Sequence, residues 1–388
     1  MHEPFPILYF GNDWFAENRT SSHHVAERLG KQHPLLYIET PGVRAPQATG
    51  RDFKKLFRKL KQAVELPQQI GPHMWVMTMP QIPFRGIPGV PVLNRYFSRF
   101  LVKRAARHLG FQHPVYWFVV PHASVALDEN SKNFVVYYCI DDYAAFPGVD
   151  ADSMQRLDDN LTRRANQLFV AAEKLLPTKQ ALNQTAVLSP HGVDVDLFGQ
   201  AQSPETEIPQ EIRDINHPVI GYFGSISNWT DLELITFIAD AKPDWTILLI
   251  GHASIDVSEL RSRKNIRLVS PQPYRTLPGW AKAFDATIIP YRLTRQVLHA
   301  NPLKLREYLA TGKPVISTWT PEVEKFGDVV RIAKDHAEFL ELIEKSLEED
   351  NEQARAARIA SVQGSSWDSR VQSVLAQVNK QMGHGETH

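Results

Sequence analysis

The chain has 388 residues, 43% of them hydrophobic and 22% charged, enough to bury a large core and to divide into two domains. Lysine plus arginine and aspartate plus glutamate number 43 each, so no global basic field argues for nucleic acid. The single cysteine, Cys139, excludes an intrachain disulfide and suits a reducing compartment, and no uninterrupted apolar run reaches the length of a membrane span.

The opening MHEPFPILYFGNDWF lacks the basic start and long apolar core of a signal peptide, so a cytosolic protein is expected, one still able to touch a bilayer. Apolar runs predict strands over 6–11, 34–40, 74–80, 114–121, 134–140 and 167–172, with amphipathic helical stretches between several of them. After the first strand comes a long polar loop with Gly11, Asp13, Arg19, Ser21 and His24. Loops at a strand's carboxyl end often carry function, although Ser21 or Ser22 also suits a helix cap. Asp141 and Asp142 stand where the 134–140 strand ends, where one of them could orient or deprotonate a substrate hydroxyl, and Asp142 could equally cap the next segment.

Residues 51–64, RDFKKLFRKLKQAV, place Phe53, Leu56, Phe57, Leu60 and Val64 at helical spacing; six basic residues and one acidic lie between 51 and 61. This reads either as an interfacial helix for an anionic membrane or as a core-packing helix with a solvated basic face. Residues 80–97 read as an apolar, proline-rich loop. The polar stretch 199–218 reads as a linker. Beyond it, strands are expected at 218–226, 246–251, 266–271, 285–291, 314–319 and 329–334, and a final helix packs back on the body. Alternating strands and helices imply parallel, doubly wound sheets: an N-terminal Rossmann-like domain over 1–200, a second over 201–365, and a C-terminal helical segment over 366–388.

NPLKLREYLATGKPVIST (301–318) carries the sharpest local signals. Asn301 suits an N-cap and Pro302 the first helical position; Gly312 suits a left-handed stop and Pro314 forbids continuation. At 100° per residue Lys304, Glu307 and Tyr308 share one flank, near a helix N-terminus that opens on the carboxyl edge of a sheet. Free N–H groups near Leu303 favour an anion there. The alternative is a solvated Lys304–Glu307 pair of little energetic weight. Gly224 and Ser225, in GYFGSI, read as a strand-to-helix turn where backbone could approach a ligand, or as a purely structural turn; no G-x-G-x-x-G accompanies it, which argues against an NAD-dependent oxidoreductase.

Several segments together resemble retaining GT-B sugar transferases of glycosyltransferase family 4, especially bacterial polysaccharide-assembly members: 9–29, 136–150, 187–198, 219–235, 274–291 and 301–318, in the family's order. The resemblance implies two Rossmann-like domains facing across a cleft, with the acceptor held by the first and a nucleotide sugar by the second. It makes Glu307 the second acid of the family's paired-glutamate motif, accepting from the donor ribose hydroxyls. The first acid's position is His299, a departure that leaves the donated sugar open. Members also commonly carry a basic pair early in the second domain, absent from GSISNWTDLEL, so Lys304 is expected to serve the diphosphate in its place. Of the two first-domain aspartates, Asp142 matches the acceptor-side position, and Asp141 joins Gly11, Asp13, Arg19, Ser21 and His24 as acceptor-side candidates.

Breaking a sugar–diphosphate bond develops negative charge on the leaving group, so preorganised donors aimed at the diphosphate are the chief catalytic lever. Lys304 and the N–H groups near Leu303 supply them, with Asn301 beside them. No metal or other cofactor is expected, since no cluster has metal-ligand spacing. Transfer to a lipid-linked saccharide acceptor in cell-surface or exopolysaccharide assembly follows from the resemblance. A sugar-nucleotide 2-epimerase of the same fold, or a non-catalytic nucleotide-binding protein, remains open.

Overall fold

The computed structural model describes residues 3–16, 18–40, 66–79, 89–128 and 130–385; the basic stretch 51–64 and residues 80–88 lie outside them. The chain forms two compact units, one of residues 1–16, 21–190 and 371–388, the other of 17–20 and 191–370. The division after Pro190 falls earlier than the expected 200, because the polar stretch after 199 is no free linker. Ala201, Ile212 and Ile215 are buried in the second unit's core.

In the first unit the strands are β1 (Ile7–Gly11), β2 (Leu35–Glu39), β3 (Gln68–Gly71), β4 (Met74–Thr78), β5 (Val115–Phe118), β6 (Val135–Cys139), β7 (Gln167–Val170) and β8 (Ala186–Leu188). They form one sheet in the order β3-β4-β2-β1-β5-β6-β7-β8, parallel throughout except for β3, which runs antiparallel to β4 at the edge. Counting helices of two turns or more, α1 spans Ser21–Gly30, α2 Val90–His108 and α3 Ala151–Arg164. Asp150 caps α3, its side chain accepting from Ser153 N. The loop expected over 80–97 ends earlier. Gly89 takes φ +88° and a proline sits in the first turn, so the chain is helical from Val90.

The second unit contains β9 (Val219–Phe223), α4 (Leu232–Ala241), β10 (Thr246–Ile250), β11 (Ile266–Val269), β12 (Ala286–Ile289), α5 (Leu303–Thr311), β13 (Val315–Thr318), β14 (Arg331–Ala333), α6 (His336–Glu349) and α7 (Glu352–Val362). A last helix, α8 (Trp367–Gly385), begins in this unit and continues in the first. The sheet is wholly parallel in the order β11-β10-β9-β12-β13-β14. Alternate residues feed two separate cores: Val219 and Phe223 of β9 with Leu248 and Ile250 of β10 on one face, Ile220 and Tyr222 with Ile247 and Leu249 on the other. Helices cover both faces, which is why these strands read as continuous apolar runs. The winding reverses between β9 and β12, leaving a crevice outside their carboxyl ends.

Candidate functional site

At that reversal in the second unit, α5 presents its N-terminal turn. The helix is held there by Tyr308, whose hydroxyl accepts from Phe223 N at 2.9 Å and whose ring meets Phe223 edge-on, centroids 4.6 Å apart. Gly312, at φ +74°, ends the helix as its sequence implies. Its start differs from expectation: Pro302, not Asn301, is the N-cap. The Asn301 side chain is drawn into tertiary bonds, its Oδ1 accepting from Arg306 Nη1 at 2.5 Å and its Nδ2 donating to Glu322 Oε2 at 3.1 Å. Lys325 pairs with the same Glu322 at 2.9 Å. Pro302 supplies no side-chain acceptor, so the cap position itself satisfies none of the first-turn N–H groups, which begin at half-buried Leu303.

Lys304 is half-buried, its Nζ 5.6 Å from the centroid of the Tyr222 ring. Its stem lies on Gly224, where a Cβ would stand 1.8 Å from Lys304 Cε and where φ is +137°. The missing side chain thus makes room for the lysine, a role the sequence does not announce. Burial lowers the Lys304 pKa, but Tyr222, Tyr291 and Glu307 more than offset it; the net shift is upward, and the group is a cation at neutral pH. One turn on, Glu307 is buried. Desolvation pushes its carboxyl up to about 7 despite the opposing effects of the Lys304 charge and the Tyr274 hydroxyl. Lys304 and Glu307 therefore do not form a solvated surface pair.

The other expected donor-side residues lie in the same unit. Ser225 follows Gly224; its carbonyl accepts from Tyr222 at 2.8 Å and its Oγ from Asn18 Nδ2 at 3.1 Å, Asn18 being grouped with this unit. His299 closes a single helical turn, Arg295–Leu298, and its Nδ1 stands 2.8 Å from the Arg295 carbonyl, which makes that nitrogen the protonated one. His191 is buried with Nδ1 lacking a partner, and burial, then the Arg306 and Arg370 charges, push it down to about 3. It is a neutral group at physiological pH.

In the first unit the expected residues divide by environment. Gly11 ends β1 so close to its neighbours that a Cβ would lie 2.2 Å from Tyr37 Oη and 2.5 Å from Ser22 Oγ. Ser21 and His24 are buried in α1, whereas Asp13 is exposed and its carboxylate accepts from Phe15 N at 3.1 Å. Arg19 groups with the second unit. Asp141 and Asp142 follow β6, half-buried; burial, then the neighbouring Asp142 charge, push Asp141 up to about 7. Asp142 occupies the N-cap position of a short 3-10 turn but makes no capping bond, so that alternative role is not seen.

One group here is missed by the sequence: Glu39, at the end of β2. Its carboxylate accepts from Trp14 N at 2.8 Å and from Thr78 Oγ1 at 2.6 Å, and burial raises its pKa in spite of both bonds. A lone glutamate after an apolar run reads only as a strand boundary. Tyr222, Tyr274 and Tyr291 were likewise hidden, because they reach Lys304 and Glu307 from three other segments. Among the described residues no group of three or more His, Cys, Asp or Glu is placed to hold a metal ion, and no helix is long and apolar enough to cross a membrane.

No family model matches the chain. Among curated proteins it is 27% identical over 230 residues to TuaH of Bacillus subtilis (strain 168), described as a teichuronic acid biosynthesis glycosyltransferase; the match covers 54% of this chain and 56% of that protein. The chain thus spans little more than half the length of this curated relative. Among solved structures, sucrose-phosphate synthase from Thermosynechococcus elongatus superposes with a TM-score of 0.72 at 13% identity, over 98% of this chain and 100% of that one. Anabaena HepE, solved with UDP and glucose, gives 0.67 at 15% identity over 96% and 99%. An E. coli trehalose-6-phosphate protein bound to UDP-2-fluoro glucose gives 0.67 at 9% identity over 96% and 98%. With two Rossmann-like units that match these neighbours almost end to end, the chain has the GT-B fold.

Proposed function

We propose that the protein is a glycosyltransferase that moves a sugar from a nucleoside-diphosphate sugar to a lipid-linked saccharide in cell-surface or exopolysaccharide assembly, with retention and without a metal. The observation that carries this reading is the Lys304–Glu307 pair at the winding reversal of the second sheet, beside a helix start whose cap residue offers no side-chain acceptor. The description of TuaH and the uridine nucleotides named with HepE and the trehalose-6-phosphate protein point the same way. In this reading Lys304 Nζ and the first N–H groups of α5 bind the diphosphate, and Glu307 accepts from the ribose hydroxyls. Ser225 and His299 border the donor, His299 standing where relatives carry an acid.

Departure of the diphosphate leaves positive charge at the anomeric carbon and adds negative charge to the leaving oxygen, which the lysine and the helix N-terminus stabilise. The acceptor oxygen bonds to that carbon on the same face. Its proton passes to an oxygen of the departing phosphate, so no side chain need be a strong base. The acceptor is held by the first unit, where Asp142 orients its hydroxyl and Asp141, Asp13 and Glu39 supply further polar groups. The reaction takes place on the cytoplasmic side, where nucleotide sugars are made.

The test is to supply UDP-, GDP-, CDP- and dTDP-sugars with and without a membrane lipid extract. Nucleoside diphosphate release that depends on the extract supports transfer. Conversion of a nucleotide sugar to its 2-epimer without acceptor would replace this reading with an isomerase, and nucleotide binding without turnover would replace it with a binding protein.

A further inference from the structure

Helix α2 carries a stripe that the packing of its own unit does not use. Asn94, Ser98, Leu101, Val102, Ala105 and Ala106 are buried on one face. On the other, Val92, Leu93, Tyr96 and Phe100 are 55%, 56%, 68% and 61% exposed, four of the ten large hydrophobic residues so placed among the described residues. At 100° per residue these four and the exposed Lys103 and Arg107 fall within an arc of about 100°. The first half of the stripe is apolar and aromatic, the second half cationic.

The charge is as one-sided as the apolar surface. Between Val90 and His108 stand Arg95, Arg99, Lys103, Arg104 and Arg107 and no acid, in a chain whose total charge is zero. Arg99 is turned inward to the Leu127 carbonyl at 2.7 Å, and Lys103 pairs with Asp128 at 3.1 Å. Arg95 and Arg107 are exposed, Arg107 within the arc of the aromatic residues and Arg95 about 60° outside its edge. Exposed aromatic and aliphatic side chains flanked by cations on a solvent-facing helix fit a negatively charged surface with an apolar interior. The same helix of a second copy would offer no acid to meet the bases.

We propose that α2 is an interfacial helix that seats the first unit on an anionic lipid bilayer, with Leu93, Tyr96 and Phe100 entering the headgroup boundary and Arg95 and Arg107 meeting lipid phosphates. The inference extends the reading of a lipid-borne acceptor, but its test does not depend on that reading. It assigns the role to a helix on the surface of the first unit rather than to the sequence 51–64.

The full-length protein is sedimented with vesicles of phosphatidylcholine alone and of phosphatidylcholine with phosphatidylglycerol. The variants are Tyr96→Ser with Phe100→Ser, and Arg95→Glu with Arg107→Glu; UDP binding serves as a check of the second unit. Wild type is expected to partition onto the phosphatidylglycerol vesicles and not the neutral ones, and each double variant to lose at least about tenfold in partition with UDP binding unchanged. The proposal is overturned if wild type ignores anionic vesicles or if the Tyr96, Phe100 variant partitions like wild type, which would move binding to another segment. It is equally overturned if light scattering shows a wild-type dimer that this variant dissociates, which would make the stripe a protein interface. Loss of vesicle binding with UDP binding and sugar transfer intact would leave the transferase reading standing, so the two failures are distinguishable.

Discussion

Replacing Glu307 by glutamine changes the pH dependence of stability in a direction set by burial. In the folded chain this carboxyl is pushed from 4.5 up to about 7, so between those values the folded state keeps a proton that the unfolded chain has released. With fewer protons bound in the unfolded state, stability falls as pH rises through the window, by about 1.4 kcal/mol per pH unit and about 3 kcal/mol in all. Glutamine has nearly the same shape and carries no charge to desolvate. The stability of the variant minus that of wild type is therefore expected to be constant below pH 4.5, to climb by about 3 kcal/mol between 4.5 and 7, and to level off above. Chemical denaturation of both proteins at closely spaced pH values reads this difference directly. Effects of Asp141, whose carboxyl is also pushed up to about 7, are common to both proteins and cancel. A difference that stays flat, or that falls with pH, would refute the claim that Glu307 is held in a desolvated site.

Three further outcomes follow from the same geometry. Gly224→Ala puts a Cβ 1.8 Å from Lys304 Cε at φ +137°, so it is expected to cost about 1–3 kcal/mol of stability and to weaken nucleotide binding in calorimetry; an unchanged affinity would count against the lysine's placement. Lys304→Met keeps the stem on Gly224 and removes the charge, and should weaken nucleoside diphosphate about 10- to 100-fold, with less effect on the nucleoside alone. His191 is held neutral with a pKa near 3, below its ordinary 6.5, so the unfolded state binds the extra proton between those values and stability rises with pH across them. His191→Gln should flatten that acid limb in denaturation curves from about pH 4 to 6.5, and an identical limb would refute the burial of a neutral imidazole.

How far the sequence reaches depends on how local the cause is. The strands of both sheets are legible because helices on both faces turn them into uninterrupted apolar runs. The two edge strands of the first sheet escape notice: β3 because Gln68, Gln69, Ile70 and Gly71 form an exposed antiparallel edge with neither alternation nor β-branched density, and β8 because Ala186–Leu188 is only three residues long. The end of α5 at Gly312 is a local matter of backbone conformation and reads correctly. Its start does not, because Asn301 has stronger partners in Arg306 and Glu322, which the sequence keeps 5 and 21 residues away. The start of α2 is masked by prolines that read as loop residues, although a first-turn proline costs a helix nothing. Lys304 and Glu307 are visible as a pair on one flank. What makes them a site, the rings of Tyr222, Tyr274 and Tyr291 and the bare Gly224, comes together only in the fold.

The central claim is that the second unit binds a nucleoside diphosphate through Lys304 and Glu307. It is tested most directly by a thermal-shift panel of UDP, GDP, CDP, dTDP and NAD on wild type and Glu307→Ala. A ligand at a hundred times its dissociation constant stabilises the fold by about 2.7 kcal/mol, a readily measured shift. The account predicts that one nucleoside diphosphate raises the Tm of wild type and that the shift is lost in the variant, with NAD inert. No shift with any nucleotide, or an equal shift in both proteins, would contradict it.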